Sequence, residues 1–170
     1  MRNFLFYISI GLVFVAGLGL ESAHAQKDEL FKITRNKDAH EIIYHLNTDA
    51  RGQLDKKKPI EAYWIRYDLE GTGRSLNAFE RRYAYGLNFH ENSPEEIRFT
   101  FVSFSRDLFL RRISRNQYEV QVEMNGERVK LNEIYLHMSG GSFWFPKINY
   151  IELRAQNAEG EPITEVIENP

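Results

Sequence analysis

Residues 117–131 read QYEVQVEMNGERVKL, and the alternation in this stretch decides the fold class. Tyr118, Val120, Val122 and Met124 share one parity while Gln117, Glu119, Gln121 and Glu123 share the other, as in a strand with one buried face. Asn125-Gly126 then supplies two residues that tolerate the positive φ of a two-residue type I′ turn, and Val129 and Leu131 resume the pattern. The stretch predicts a β-hairpin.

Outward from the hairpin the same period recurs between turn signals. Arg115-Asn116 offers a turn before it and Gly140-Gly141 one after it, while Asn157 to Pro162 precedes a last strand over Ile163 to Ile167. Towards the N-terminus, Phe31 and Ile33 open a strand, Ile42, Tyr44 and Leu46 a second, and Ile60 to Tyr67 a third. A charged loop from Asp49 to Lys58, stopped by Pro59, separates the second from the third. A further strand runs from Ile97 to Phe104. The fold expected is mainly β, an antiparallel meander of about eight or nine strands forming a small barrel or sandwich. One segment breaks the period: Leu76, Phe79 and Tyr83 fall at i, i+3 and i+7, with Ser75 placed to cap the start and Gly86 to close the end in a left-handed turn. This predicts one inserted helix over 75–85.

The chain has 170 residues and opens with Arg2, an apolar or small run from Phe4 to Leu20, and Ser22-Ala23-His24-Ala25. Positive start, apolar middle and small-residue site are the order of a secretory signal peptide over 1–25. Residues 26–170 would then form one β-rich domain, periplasmic or secreted, with no membrane span left after cleavage. The run has three glycines, Gly11, Gly17 and Gly19, and sits at the lower limit for crossing a bilayer as a helix. With no cysteine, neither a lipid-acylated N-terminus nor a disulfide can form, so stability must come from a core rich in rings, 12 Phe, 9 Tyr and 2 Trp. The net charge of −2 argues against a nucleic-acid partner, which calls for a basic excess. The absence of an Asn-x-Ser/Thr sequon favours a bacterial envelope over a eukaryotic secretory route.

Motifs for chemistry are sparse. His40-Glu41-Ile42-Ile43-Tyr44-His45 is one residue too long for the zinc-protease spacing and lies in a strand, where its two histidines take opposite faces. Gly71-Thr72-Gly73 lacks the third glycine and the parallel βαβ context of a dinucleotide loop, and reads as a flexible loop. There is no nucleophile elbow and no thiol. Neither a catalytic residue, a cofactor nor a metal site is assigned. Three arginines share the parity of apolar strand residues: Arg35 with Phe31 and Ile33, Arg66 with Ile60, Ala62 and Trp64, and Arg111 with Phe109 and Ile113. If those faces line one cavity, their guanidiniums beside Trp64 and Trp144 would suit a small anionic or amphiphilic ligand. If instead a fixed acid such as Asp68 or Glu152 pairs with them, the arginines are structural.

Phe31-x-Ile33-x-Arg35-Asn36, Pro59-Ile60-x-x-Tyr63-Trp64-Ile65, Tyr85-Gly86, and Ile134-Tyr135 with Gly140-Gly141 before Phe143-Trp144 together form a pattern. It resembles an exported bacterial family known as domain of unknown function 4833, over Phe31 to Ile163. The resemblance implies a single domain and an envelope location, and assigns no functional residue.

The function expected is thus a non-enzymatic exported protein that binds a ligand or an envelope partner. An envelope hydrolase is the alternative, drawing on Asp68, His90, Glu91 and His137, and a structural subunit is a third. The mature protein is expected to begin at Gln26, which intact-mass measurement of exported material checks. An uncleaved chain in the membrane fraction would contradict it.

Overall fold

Period-two alternation becomes strand pairing in the computed structural model, which describes residues 29–49, 51, 53–67, 71–93, 95–141, 146–168 and 170. The expected leader, Asp68 and Trp144 lie outside the described residues. In chain order the elements are β1 (Glu29–Arg35), β2 (Glu41–Leu46), β3 (Ile60–Arg66), β4 (Thr72–Ser75), α1 (Ala78–Tyr83) and β5 (Leu87–Asn92). Then follow β6 (Glu96–Phe101), β7 (Leu108–Ser114), β8 (Gln117–Met124), β9 (Glu127–Gly141), β10 (Pro146–Gln156) and β11 (Pro162–Glu168). The protein is mainly β, as its alternation implies.

The β8–β9 hairpin forms with Met124 opposite Glu127, and Asn125 and Gly126 have φ of 54° and 82°, the two positive values a type I′ turn requires. From it the strands run β4-β3-β2-β1-β9-β8-β7-β6-β5, with β10 and then β11 branching from β9. Long β9 is the spine. Its Lys130 pairs with Gln121 of β8 on one edge and Gln156 of β10 on the other. Further along, Glu133 to Leu136 pair in parallel with Lys32 to Arg35 of β1. Among the described residues the sheet is therefore mixed and has eleven strands, where an antiparallel eight or nine were expected. Its path ends, β4 and β5, do not pair with each other, so it is not a closed barrel; a sandwich is consistent with it.

β4 and β5 lacked a sequence signal. In β4 every residue is exposed and none is apolar, so what reads as a loop at Gly71-Thr72-Gly73 becomes a strand only by pairing with β3. β5 is bulged between Phe89 and Glu91, which breaks its alternation.

Packing comes from the apolar parity of each strand. Phe31 and Tyr44 stack at 4.5 Å and 6°, and Phe101 of β6 meets them edge-on at 6.1 and 5.6 Å, folding the β1–β3 half over the β6–β8 half. Leu108, Leu110, Val120, Val122, Leu131 and Leu153 complete the centre.

Helix α1 is shorter than the expected 75–85. Ser75 belongs to β4, and the cap is Asn77, whose side chain accepts the Glu80 N–H at 2.9 Å while Glu80 accepts the Asn77 N–H at 2.8 Å. Phe79 and Tyr83 face solvent, so the apolar spacing that suggested a longer helix buries only Leu76, which precedes it. Nor does Gly86 close the helix in a left-handed turn: the cap is Ala84 at φ −131°. Gly86 is needed for another reason, because a Cβ there would lie 1.8 Å from the Arg81 carbonyl oxygen.

Gly126→Val is expected to lower the unfolding free energy by about 1–3 kcal/mol through its positive φ. No atom lies within 4 Å of a Cβ at that position, so crowding does not contribute. Urea denaturation checks this, and unchanged stability would mean the turn does not hold the hairpin register.

Candidate functional site

Where the sheet fails to close, a cleft of about 230 Å³ opens between β3 and the segment leading into β5. Its floor is apolar: Ile60 and Ala62 of β3 face Leu76 and Leu87, with fully buried Tyr44 beneath. Phe89, 38% exposed, stands at the rim. The charged groups lining it are Lys58, paired with Glu61 at 2.6 Å, and Arg81, which donates to the Leu76 carbonyl.

Behind Tyr85, a second wall of the cleft, lies a cation cluster. The guanidiniums of Arg35 and Arg74 sit over the Trp64 ring at 4.5 and 5.0 Å, and Tyr85 meets that ring edge-on at 5.7 Å. Strand register builds the group, since Ile33, Ile42, Trp64 and Arg74 are successive cross-strand partners and Arg35 follows Ile33 on the same parity. Each cation has its own acid. Arg35 Nε bonds Asp38 at 2.8 Å and its Nη1 donates to Tyr85 Oη at 3.2 Å; Arg74 makes a two-pronged pair with Glu80 at 2.7 and 2.6 Å. Burial alone would raise the Glu80 carboxyl, yet the Arg74 fork, the Asn77 N–H and the Arg35 charge outweigh it and hold it below the ordinary range.

Of the sequence-derived candidates, Arg35 and Trp64 are thus brought together, and Arg35 is answered by a fixed acid, Asp38, while Glu152 pairs with Arg154. Arg66 lies half-buried at the end of β3, on the Trp64 parity and opposite Thr72. Arg111 does not join them. It is exposed between Glu96 and Glu119, because the core face of β7 carries Leu108 and Leu110. Phe109, whose parity Arg111 shares, lies on the outer face beneath the Arg128 guanidinium at 3.7 Å. Arg74, Asp38 and Glu80 were not anticipated. Asn77-x-x-Glu80 is a capping-box spacing that could have revealed Glu80, whereas Arg74 sits in a strand without periodicity.

Of the residues weighed for hydrolysis, the two histidines are separately engaged. His90 Nε2 lies 3.0 Å from Thr100 Oγ1, and His137 stacks on Tyr150 with its Nδ1 3.3 Å from Asn149 Nδ2. His40 rests against Trp64 and His45 against Tyr63, residues of opposite parity on β3. Among the described residues no three metal-ligating side chains cluster.

Because the folded-state pKa of Glu80 is depressed, its contribution is present above the unfolded carboxylate value near 4.5 and is lost as pH falls through the folded value. Glu80→Gln is expected to cost about 1–2 kcal/mol at neutral pH, held down by the solvent screening of half-exposed Arg74, and to flatten the acid limb of stability. Thermal melts of both proteins from pH 7 to 3 check this; parallel curves would contradict it.

No curated protein and no solved structure matches the chain. A family model does match it, over residues 31–166, which takes in the strands that build the core, the cleft walls and the cation cluster. The chain belongs to the family described as Domain of unknown function (DUF4833).

Proposed function

We propose that this is an exported, periplasmic or secreted, non-catalytic protein whose cleft between β3 and β5 takes a small anionic amphiphile. The observation that carries the reading is the cleft itself, an apolar floor with the Arg81 guanidinium among its lining. An acyl or ring portion would cover Ile60, Ala62, Leu76 and Leu87, while its carboxylate or phosphate meets the Arg81 guanidinium, Lys58 being held by Glu61. The volume, about 230 Å³, falls under the roughly 300–1,000 Å³ of drug-sized sites, so the ligand is small, one ring or a short chain. The site differs from the cavity suggested by strand parity, because Arg35 and Arg74 are held by Asp38 and Glu80 and serve as its backing. Export rests on the leader-like start of the chain.

The test uses 1-anilinonaphthalene-8-sulfonate as reporter and octanoate and octanol as competitors. Octanoate is expected to displace the reporter better than octanol. Ala62→Phe, which fills the floor, should weaken reporter binding by about tenfold, equivalent to 1.4 kcal/mol, with an unchanged circular dichroism spectrum. Equal binding by the folded variant would place the reporter elsewhere and overturn the reading.

A further inference from the structure

Strand β11, which shares no residue with the cleft, is bonded to β10 on one side and, among the described residues, to no strand on the other. The β10–β11 register fixes which of its backbone groups face that open side. Asn157 N–H donates to the Glu161 carbonyl at 3.0 Å, so these two residues close the hairpin as a hydrogen-bonded pair. Beyond them Gln156 to Tyr150 pair with Pro162 to Glu168 without a slip. Bonded and non-bonded pairs alternate along an antiparallel ladder. Ile163, Glu165 and Ile167 therefore bond β10, while the N–H and C=O groups of Thr164, Val166 and Glu168 point off the sheet.

An edge of this kind is a template for another strand, and proteins guard it with short strands, bulges, lysines or prolines. The two ends of the strand path are guarded: β4 has four residues, and β5 is bulged between Phe89 and Glu91. β11 has seven residues in unbroken register, and its one proline, Pro162, stands at the first position, before the outward donors. Glu165 lies on the parity of Ile163 and Ile167, which pack on the core, but Arg106 neutralises it at 3.0 Å, so it does not repel an incoming strand. Val166, a β-branched apolar side chain, is left 53% exposed on the outer face of this edge.

The strand that matches this edge is β11 itself. Antiparallel pairing about a two-fold axis through Val166 sets Val166 against Val166 of a second copy and Thr164 against its Glu168. Every outward N–H and C=O of the three residues is then used, since each such pair exchanges two bonds. Glu165 meets Ile167 and Glu168 meets Thr164, so no acid stands opposite an acid. An axis through Glu165 instead would place the two Glu165 side chains directly opposite and bring Pro162, which has no N–H, into the ladder.

We infer that β11 is a self-association edge, through which two copies of this chain pair antiparallel about Val166 and join their sheets. The stretch from Thr164 to Glu168 is a small interface, so the dimer is weak and forms with rising concentration. The inference is independent of the cleft reading, and the two can fail separately.

Sedimentation equilibrium of the mature protein, raised to about 1 mM, is combined with amide hydrogen exchange at low and high concentration. A monomer–dimer equilibrium with a Kd of roughly 10 μM to 1 mM is expected. The Thr164, Val166 and Glu168 amides should exchange more slowly at high concentration, whereas those of Ile163, Glu165 and Ile167 are protected at both. Val166→Pro removes a donor that no bond within the monomer uses, so the variant should fold and dimerise about tenfold more weakly or worse. Val166→Lys, which sets two ammonium groups opposite each other, should do the same and keeps the test decisive if the proline variant does not fold. A monomer at every concentration, growth beyond a dimer, a dimer that leaves exchange at Thr164, Val166 and Glu168 unchanged, or full dimerisation of a folded Val166→Lys protein would overturn the inference.

Discussion

Tyr44 donates its hydroxyl to the Tyr85 carbonyl at 2.8 Å from a side chain with no solvent exposure. A phenol left unpaired in that position would cost about 1–3 kcal/mol, so the bond ties the loop after α1 to the middle of the core. Burial raises the Tyr44 pKa well above its ordinary value, which keeps the group a donor across the pH range in which proteins fold. The ring of the same residue stacks on Phe31 and receives the edge of Phe101. One side chain therefore joins β2 to β1, to the facing β6 and to the segment entering β5.

That arrangement explains why the sheet can stay open. The two halves are held face to face by rings and by a side-chain bond. No backbone ladder between β4 and β5 is needed. Helix α1 covers part of the gap, and the absence of a side chain at Gly86 lets β5 begin directly against the helix end. What remains uncovered is the cleft.

A protein without cysteines also has to manage its arginines, and the same device recurs around the molecule. Arg35 and Arg74 lie over Trp64 with Asp38 and Glu80 as acids, Arg154 lies over Tyr135 with Glu133 and Glu152, and Arg128 lies over Phe109 with Glu96. In each case the flat cation shields a ring from water while a carboxylate offsets its desolvation. Parity with apolar residues put Arg35 over the Trp64 ring, whereas Arg111, which shares parity with Phe109, is exposed.

The hairpin at Asn125-Gly126, the strands of β1, β2, β3, β8 and β11, the last turn at Asn157 to Glu161 and the mainly β class were legible in the chain itself. Alternation and turn chemistry are local, acting within a few residues, so a linear reading captures them. The parallel pairing of β1 with β9, which sets Lys32 opposite Glu133, and the opening between β3 and β5 depend on partners distant in the chain. Nothing local encodes such pairings. The candidate site divides in the same way: Trp64 and Arg35 could be named from parity and Glu80 from its capping box, but Arg74 required the pairing of β4 with β3. Parity fixes only which residues of one strand share a face; it is the pairing of strands, decided by the whole core at once, that settles whether the face is inner or outer and which neighbours it meets.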